Sequence, residues 1–218
     1  CKLEQILDHF KKDLQNYFSN SEIFDIFKSN KRILLFLIEE KIMMMDEYII
    51  LRILNPNFER MKYVEYFAPE IKPFFTKEFI SKYCNKIPSL KNEEFIDKIM
   101  EELPEEFYDK RKKGENDDYL CELIRTNKVK DFGIYINKNN ISLESFINQS
   151  IFETHPFLYT SNIKLIEYAS FFGSIDIIKY MKINGEVEFP PEIWYYVIHS
   201  NNAELIKYFE DNHVSPPY

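Results

Sequence analysis

Ala169-Ser-Phe-Phe-Gly-Ser-Ile-Asp-Ile-Ile-Lys-Tyr-Met181 and Val197-Ile-His-Ser-Asn-Asn-Ala-Glu-Leu-Ile-Lys-Tyr-Phe209 are near-copies set 28 positions apart. In each, an apolar run stops at a turn-forming pair, Gly173-Ser174 or Asn201-Asn202, and resumes around a shared Ile-Lys-Tyr core. Asn can stand where Gly stands because both tolerate the left-handed conformation that a tight helix exit needs. An earlier stretch has the same form: Leu120, Leu123 and Ile124 lead to Asn127, then Val129, Phe132 and Ile136 follow. One pair of short helices cannot bury its own apolar face, so such units must stack, and self-similarity at a fixed period is the mark of a stacked array. The spacing therefore predicts helix pairs over residues 119–218 and an all-α, helical-pair solenoid.

Composition agrees with that class. Among 218 residues there are only four glycines, which leaves little material for tight β-turns. The 20 Phe and 15 Tyr imply helices packed through large rings. A net charge of −8 argues against a nucleic-acid partner, because phosphate binding is driven by clustered Lys and Arg. The longest apolar run, Ile33-Leu-Leu-Phe-Leu-Ile38, stops at Glu39-Glu40, far short of the ~18 residues that span a bilayer, so no membrane insertion is expected. Cys1, Cys84 and Cys121 are odd in number and widely spaced, which fits a reducing, cytoplasmic setting better than a disulfide framework. The chain starts with Cys and ends at Ser215-Pro-Pro-Tyr218, as a fragment or trimmed chain would.

Toward the N-terminus, Leu3, Ile6, Leu7, Phe10, Leu14, Tyr17 and Phe18 form one apolar stripe on a helix. Short helices are predicted at 21–29, 31–41, 44–55, 58–67, 75–85 and 92–103, with Pro56, Pro69, Pro73, Pro88 and Pro104 at the joints. Met43-Met-Met45 reads as core filling. Between Pro104 and Asp118 the apolar period lapses into dense mixed charge around Gly114. The expected organisation is a helical domain at 1–103, a charged linker or loop at 104–118 and the repeats at 119–218.

Gly173-Ser-Ile-Asp-Ile-Ile-Lys-Tyr-Met181, followed by Asn184-Gly185, resembles the second half of an ankyrin repeat, and Asn202–Phe209 is a weaker copy. The longer block, from Leu120-Cys-Glu-Leu-Ile-Arg through Tyr135–Ser142, Ser150–Thr154, Leu165–Ala169 and Trp194–Asn202, is similar to a large family of flagellated-protist proteins. There a helical domain of unknown function leads into an ankyrin array. The resemblance implies that the C-terminal part is a degenerate ankyrin-like stack. Two departures shape that expectation: Lys164-Leu-Ile-Glu167 and Glu192-Ile-Trp-Tyr195 replace the usual Thr-Pro-Leu-His. The step of 28 also falls short of the ~33 of regular repeats, in the connection that would form the β-hairpin. Little or no β-hairpin is therefore expected.

Chemistry has few footholds. No phosphate-cradling glycine loop can be written, His9, His155, His199 and His213 are dispersed, and no His-Glu-x-x-His or Cys-x-x-Cys pair exists, so no cofactor or metal is expected. Cys121 sits on an apolar helix face and reads as a buried thiol. In ankyrin-like stacks the positions before the inter-helix turn face partners, which here designates Phe171 and Phe172, with His199 in the next unit and Tyr195 beside it. The competing reading is that one of these Phe rings packs inward. The leading expectation is a non-enzymatic protein-interaction module or scaffold for a protein partner. One alternative is a constitutive component of a cytoskeletal or axonemal assembly; another is an enzyme with an unfamiliar all-α site, which would need a closed polar pocket holding convergent ionisable groups.

Overall fold

A computed structural model describes residues 2–55, 62–159, 162–185 and 187–217. Among them the regular structure is helical, with sixteen α-helices, short 3-10 turns and no strand. The chain divides into two compact units, Cys1–Glu115 with Ile151–Thr160, and Asn116–Ser150 with Ser161–Tyr218.

The first unit holds α1 (Lys2–His9), α2 (Lys11–Tyr17), α3 (Asn20–Phe27), α4 (Lys31–Glu39), α5 (Glu47–Ile53), α6 (Tyr63–Tyr66), α7 (Ala68–Ile71), α8 (Lys77–Tyr83), α9 (Glu93–Met100) and α10 (Glu105–Lys113). Their starts follow capping chemistry. Ser19 and Glu22 form a reciprocal box at α3, with Ser19 N donating to Glu22 Oε2 at 2.8 Å. Asn30, Asp46, Thr76 and Asn92 each accept a backbone N–H at the heads of α4, α5, α8 and α9. Pro69, Pro73, Pro88 and Pro104 all lie in the first two positions of an element or just before it, where a missing N–H costs nothing. Pro56 and the first part of the helix expected at 58–67 lie outside the described residues, as does Cys1.

The core forms where α3, α4 and α5 meet, around Phe24, Ile33, Leu34, Leu37, Ile49 and Ile50, and extends to Tyr63, Tyr66 and Phe67. One expectation is corrected here. The N-terminal stripe breaks at Phe10 into α1 and α2, and most of it faces outward: Leu3, Ile6, Phe10, Tyr17 and Phe18 are exposed, while Leu7 is buried and Leu14 packs partly buried against the core. Periodicity shows that a helix has an apolar face but not that a neighbour covers it. The core-filling reading of Met43–Met45 holds for two of the three: Met43 is in the core and Met45 packs partly buried against it, while Met44 is exposed, in the loop before α5.

The charged stretch 104–118, expected as a linker, contains α10. Glu105 and Glu106 lie in its first turn and Lys110–Lys113 in its last, each matched to the helix dipole, and Gly114 closes it in the left-handed conformation at φ 68°. Phe107 and Arg111, one turn apart, are buried. Arg111 pairs both guanidinium nitrogens with Glu70 at 2.8 Å and donates to Tyr66 O at 3.2 Å. Replacing Arg111 by Met leaves the half-buried Glu70 carboxylate without its cation; a loss of about 3 kcal/mol in urea unfolding is expected, and a loss under about 1 kcal/mol would show that the pair is not structural.

The second unit is built from α11 (Tyr119–Arg125) and α12 (Val129–Lys138), α13 (Leu165–Phe171) and α14 (Ile175–Asn184), α15 (Trp194–His199) and α16 (Ala203–Asp211). Partners within each pair pack together, and α11 meets α13, α12 meets α14, and α13 meets α15. That is a stack of three helix pairs. Each pair turns through one left-handed residue, Asn127 (φ 50°), Gly173 (φ 69°) and Asn201 (φ 51°). The turns are tied to one another: Ser174 Oγ donates to Ile124 O at 2.5 Å, Asn127 Nδ2 to Asp176 Oδ2 at 2.8 Å, and Asn202 Nδ2 to Gly173 O at 3.1 Å. Asn127 Oδ1 also receives the Ile177 N–H, at 3.3 Å, inside the first turn of the next pair's second helix.

No β-hairpin forms among the described residues. A single antiparallel bridge, Phe146 with Lys164, stands in its place, flanked by Ile147 N donating to Ile163 O and Leu165 N to Ser145 O. Glu167 completes the entry to α13, its Oε2 accepting the Lys164 N–H at 2.7 Å. Gly173→Ala should cost about 1–2 kcal/mol from the left-handed conformation alone, and Gly173→Asn less. Equal costs in thermal unfolding would mean that crowding by Asn202, 3.1 Å from an added Cβ, outweighs the backbone term.

Candidate functional site

Because the left-handed residue marks the same place in each pair, equivalent positions can be compared directly. Three residues before it stand Ile124, Ser170 and Ile198; the first two are fully buried, and Ile198 is 64% exposed. Six residues before it stand Cys121, Glu167 and Tyr195, which run from buried through half-buried to 55% exposed. Ile124 and Ser170 belong to helices that a following pair packs against, whereas no further described pair follows α15 and α16. Tyr195, Ile198 and His199 fall at helical intervals of three and four, so they share one outward face of α15.

Of the four residues singled out from sequence, Phe171, Phe172 and His199 touch, and Tyr195 lies one turn before His199 on α15. Phe171 is buried, its ring stacked on His199 with centroids 4.1 Å apart and planes at 18°. Phe172 is half-buried, edge-on to Phe171 at 5.0 Å and against Tyr168 at 4.8 Å. His199 and Tyr195 are exposed. Phe171 thus supports the surface from below, and the exposed outer area is Tyr195, Ile198 and His199. Beneath it the setting is apolar enough that burial pushes the Glu167 carboxyl and the Tyr196 phenol above their usual values.

Ile198 was not singled out by sequence, where it reads as one more apolar residue of the repeat. The signal that finds it is the register: alignment on the turn residue sets it beside Ile124 and Ser170, positions that only a covering neighbour would bury. The N-terminal stripe of Leu3, Ile6 and Phe10 is a second outward apolar surface, in the first unit.

Elsewhere the first unit has a polar cavity of about 360 Å³ lined by Arg32, Glu39, Tyr66, Tyr108, Asp109 and Lys112 among others. Arg32 is already paired with Glu4 at 2.8 Å, and Arg111 at its edge with Glu70. Among the described residues no three His, Cys, Asp or Glu side chains gather as a metal site requires, and no helix is long and apolar enough to cross a membrane. Cys121 is buried and Cys84 half-buried. Phe171→Ala should destabilise the second unit by about 3 kcal/mol through the cavity it leaves, whereas Tyr195→Ala should stay within about 0.5 kcal/mol. Guanidinium unfolding of the full chain distinguishes them, and an inert Phe171→Ala would mean that its ring is not a support. No protein-family model, curated protein or solved structure matches the chain.

Proposed function

We propose that the chain is a non-enzymatic protein-interaction module, a scaffold whose stacked helix pairs bind a protein partner through the outer face of α15. The observation that carries this reading is the exposure of Ile198 and Tyr195 at positions whose equivalents are covered in the preceding pairs. Large aromatic and aliphatic groups on a rigid helix are the usual anchors of protein interfaces, since little side-chain entropy is lost when they are covered. Stacked repeats suit such a role because their helices hold surface groups in fixed register. The resemblance of Gly173–Met181 to an ankyrin second helix belongs to the same reading, as does a cytoplasmic location.

The test is co-purification from the source cell with wild type and with a Tyr195→Ala, Ile198→Ser double variant, which changes the contact face and spares the buried Phe171. Partners retained by wild type and lost by the folded variant are expected; an identical partner set would sink the proposal. A partner held in one fixed ratio through every purification step would favour a constitutive structural component over a transient scaffold.

A further inference from the structure

Lys31, at the head of α4, is fully buried. Its Nζ donates to Ile151 O at 3.0 Å and to Glu153 O at 2.9 Å, two backbone carbonyls supplied from about 120 residues further along the chain. The rings of Tyr63, Tyr66 and Tyr159 surround it, with centroids 5.9, 5.3 and 5.2 Å from the nitrogen. We propose that Lys31 is a proton-operated latch: its amine holds residues 151–159 as a strap over the first unit, and acidification loosens that strap.

The strap is built as one piece. Phe152, Glu153, Thr154, Leu158 and Tyr159 are all buried. Thr154 donates to Gly114 O through both its N–H, at 3.2 Å, and its hydroxyl, at 2.8 Å. Phe152 lies edge-on to Phe107 at 5.4 Å, and the Tyr159 hydroxyl donates to Ser29 O. The strap follows no regular helix, so helical bonding does not take up its Ile151 and Glu153 carbonyls. Lys31 takes two of them.

A buried ammonium held by neutral carbonyls is costly, and its place at the positive end of α4 adds to that cost. Burial accordingly brings the amine from 10.5 down to about 7. The charged groups that act on it are Glu153 on the strap and Glu65 on α6, which favour its charge, and Lys62, which opposes it. The phenols of Tyr63, Tyr66 and Tyr159 are all raised by burial above their ordinary values. Opening the strap returns Lys31 to water and to its ordinary basicity, so between pH 7 and 10.5 closure releases a proton. The closed state then strengthens about tenfold per pH unit over that window. Below pH 7 the amine is charged in both states, and the dependence levels off. The latch is weakest on the acid side.

Hydrogen exchange by mass spectrometry on the full chain tests this, as protection of amides 151–159 after correction for intrinsic exchange, with α13 as internal reference. Wild type should gain about tenfold protection per unit from pH 7 to 9. Lys31→Met should show a flat profile over the same range. A flat wild-type profile, or the wild-type slope persisting in Lys31→Met, overturns the proposal. Should Lys31→Met fail to fold, the ¹³Cε resonance of Lys31 in wild type decides. A midpoint near neutrality supports the latch, and one at the ordinary lysine value of about 10.4 overturns it.

Discussion

The second unit depends on a single backbone constraint, the left-handed residue between the helices of each pair. Asn127, Gly173 and Asn201 reverse the chain in a few residues, so the two helices of a pair lie side by side. The same turn presents a carbonyl or an amide side chain to the neighbouring pair: Ile124 O receives Ser174, Gly173 O receives Asn202, and Asn127 caps the first turn of α14. These bonds set how far each pair is displaced from the last. Hydrophobic burial supplies the stabilisation, but it is non-directional and would accept several stackings. The turn-to-turn hydrogen bonds select one.

From that register follows the difference between covered and uncovered positions. A residue three before the turn is interior when another pair stands on it and surface when none does, with no change in its own helix. Ile198 and Ser170 illustrate this: the polar residue is fully buried, and the apolar one is exposed. Intrinsic hydrophobicity alone ranks them the wrong way round, because burial depends on what covers a residue.

The first unit obeys a different logic. Its core of α3, α4 and α5 is local, but its closure requires residues 151–159, and the group that receives them is a buried lysine. A buried charge is poor evidence of stability and better evidence of specificity, since few chain segments can offer two correctly placed carbonyls to one amine. The Arg111–Glu70 pair plays a similar part in docking α10, whose dense charge conceals a two-residue inward face.

Much was legible in the sequence. The scarcity of glycine, the capping residues, the proline punctuation and the repeated Ile-Lys-Tyr core determine an all-α chain and three helix pairs, because each acts through neighbours within a turn or two. The stacking of Phe171 on His199 joins two positions that the 28-residue step already makes equivalent. What the sequence could not decide is which side of each apolar face is covered. The outward stripe of α1 and α2, the inward Phe171, the exposed Ile198, the helix at Glu105–Lys113 and the strap on Lys31 all turn on contacts between residues far apart in the chain. Periodicity determines that a face exists; only tertiary packing decides whether it meets protein or water.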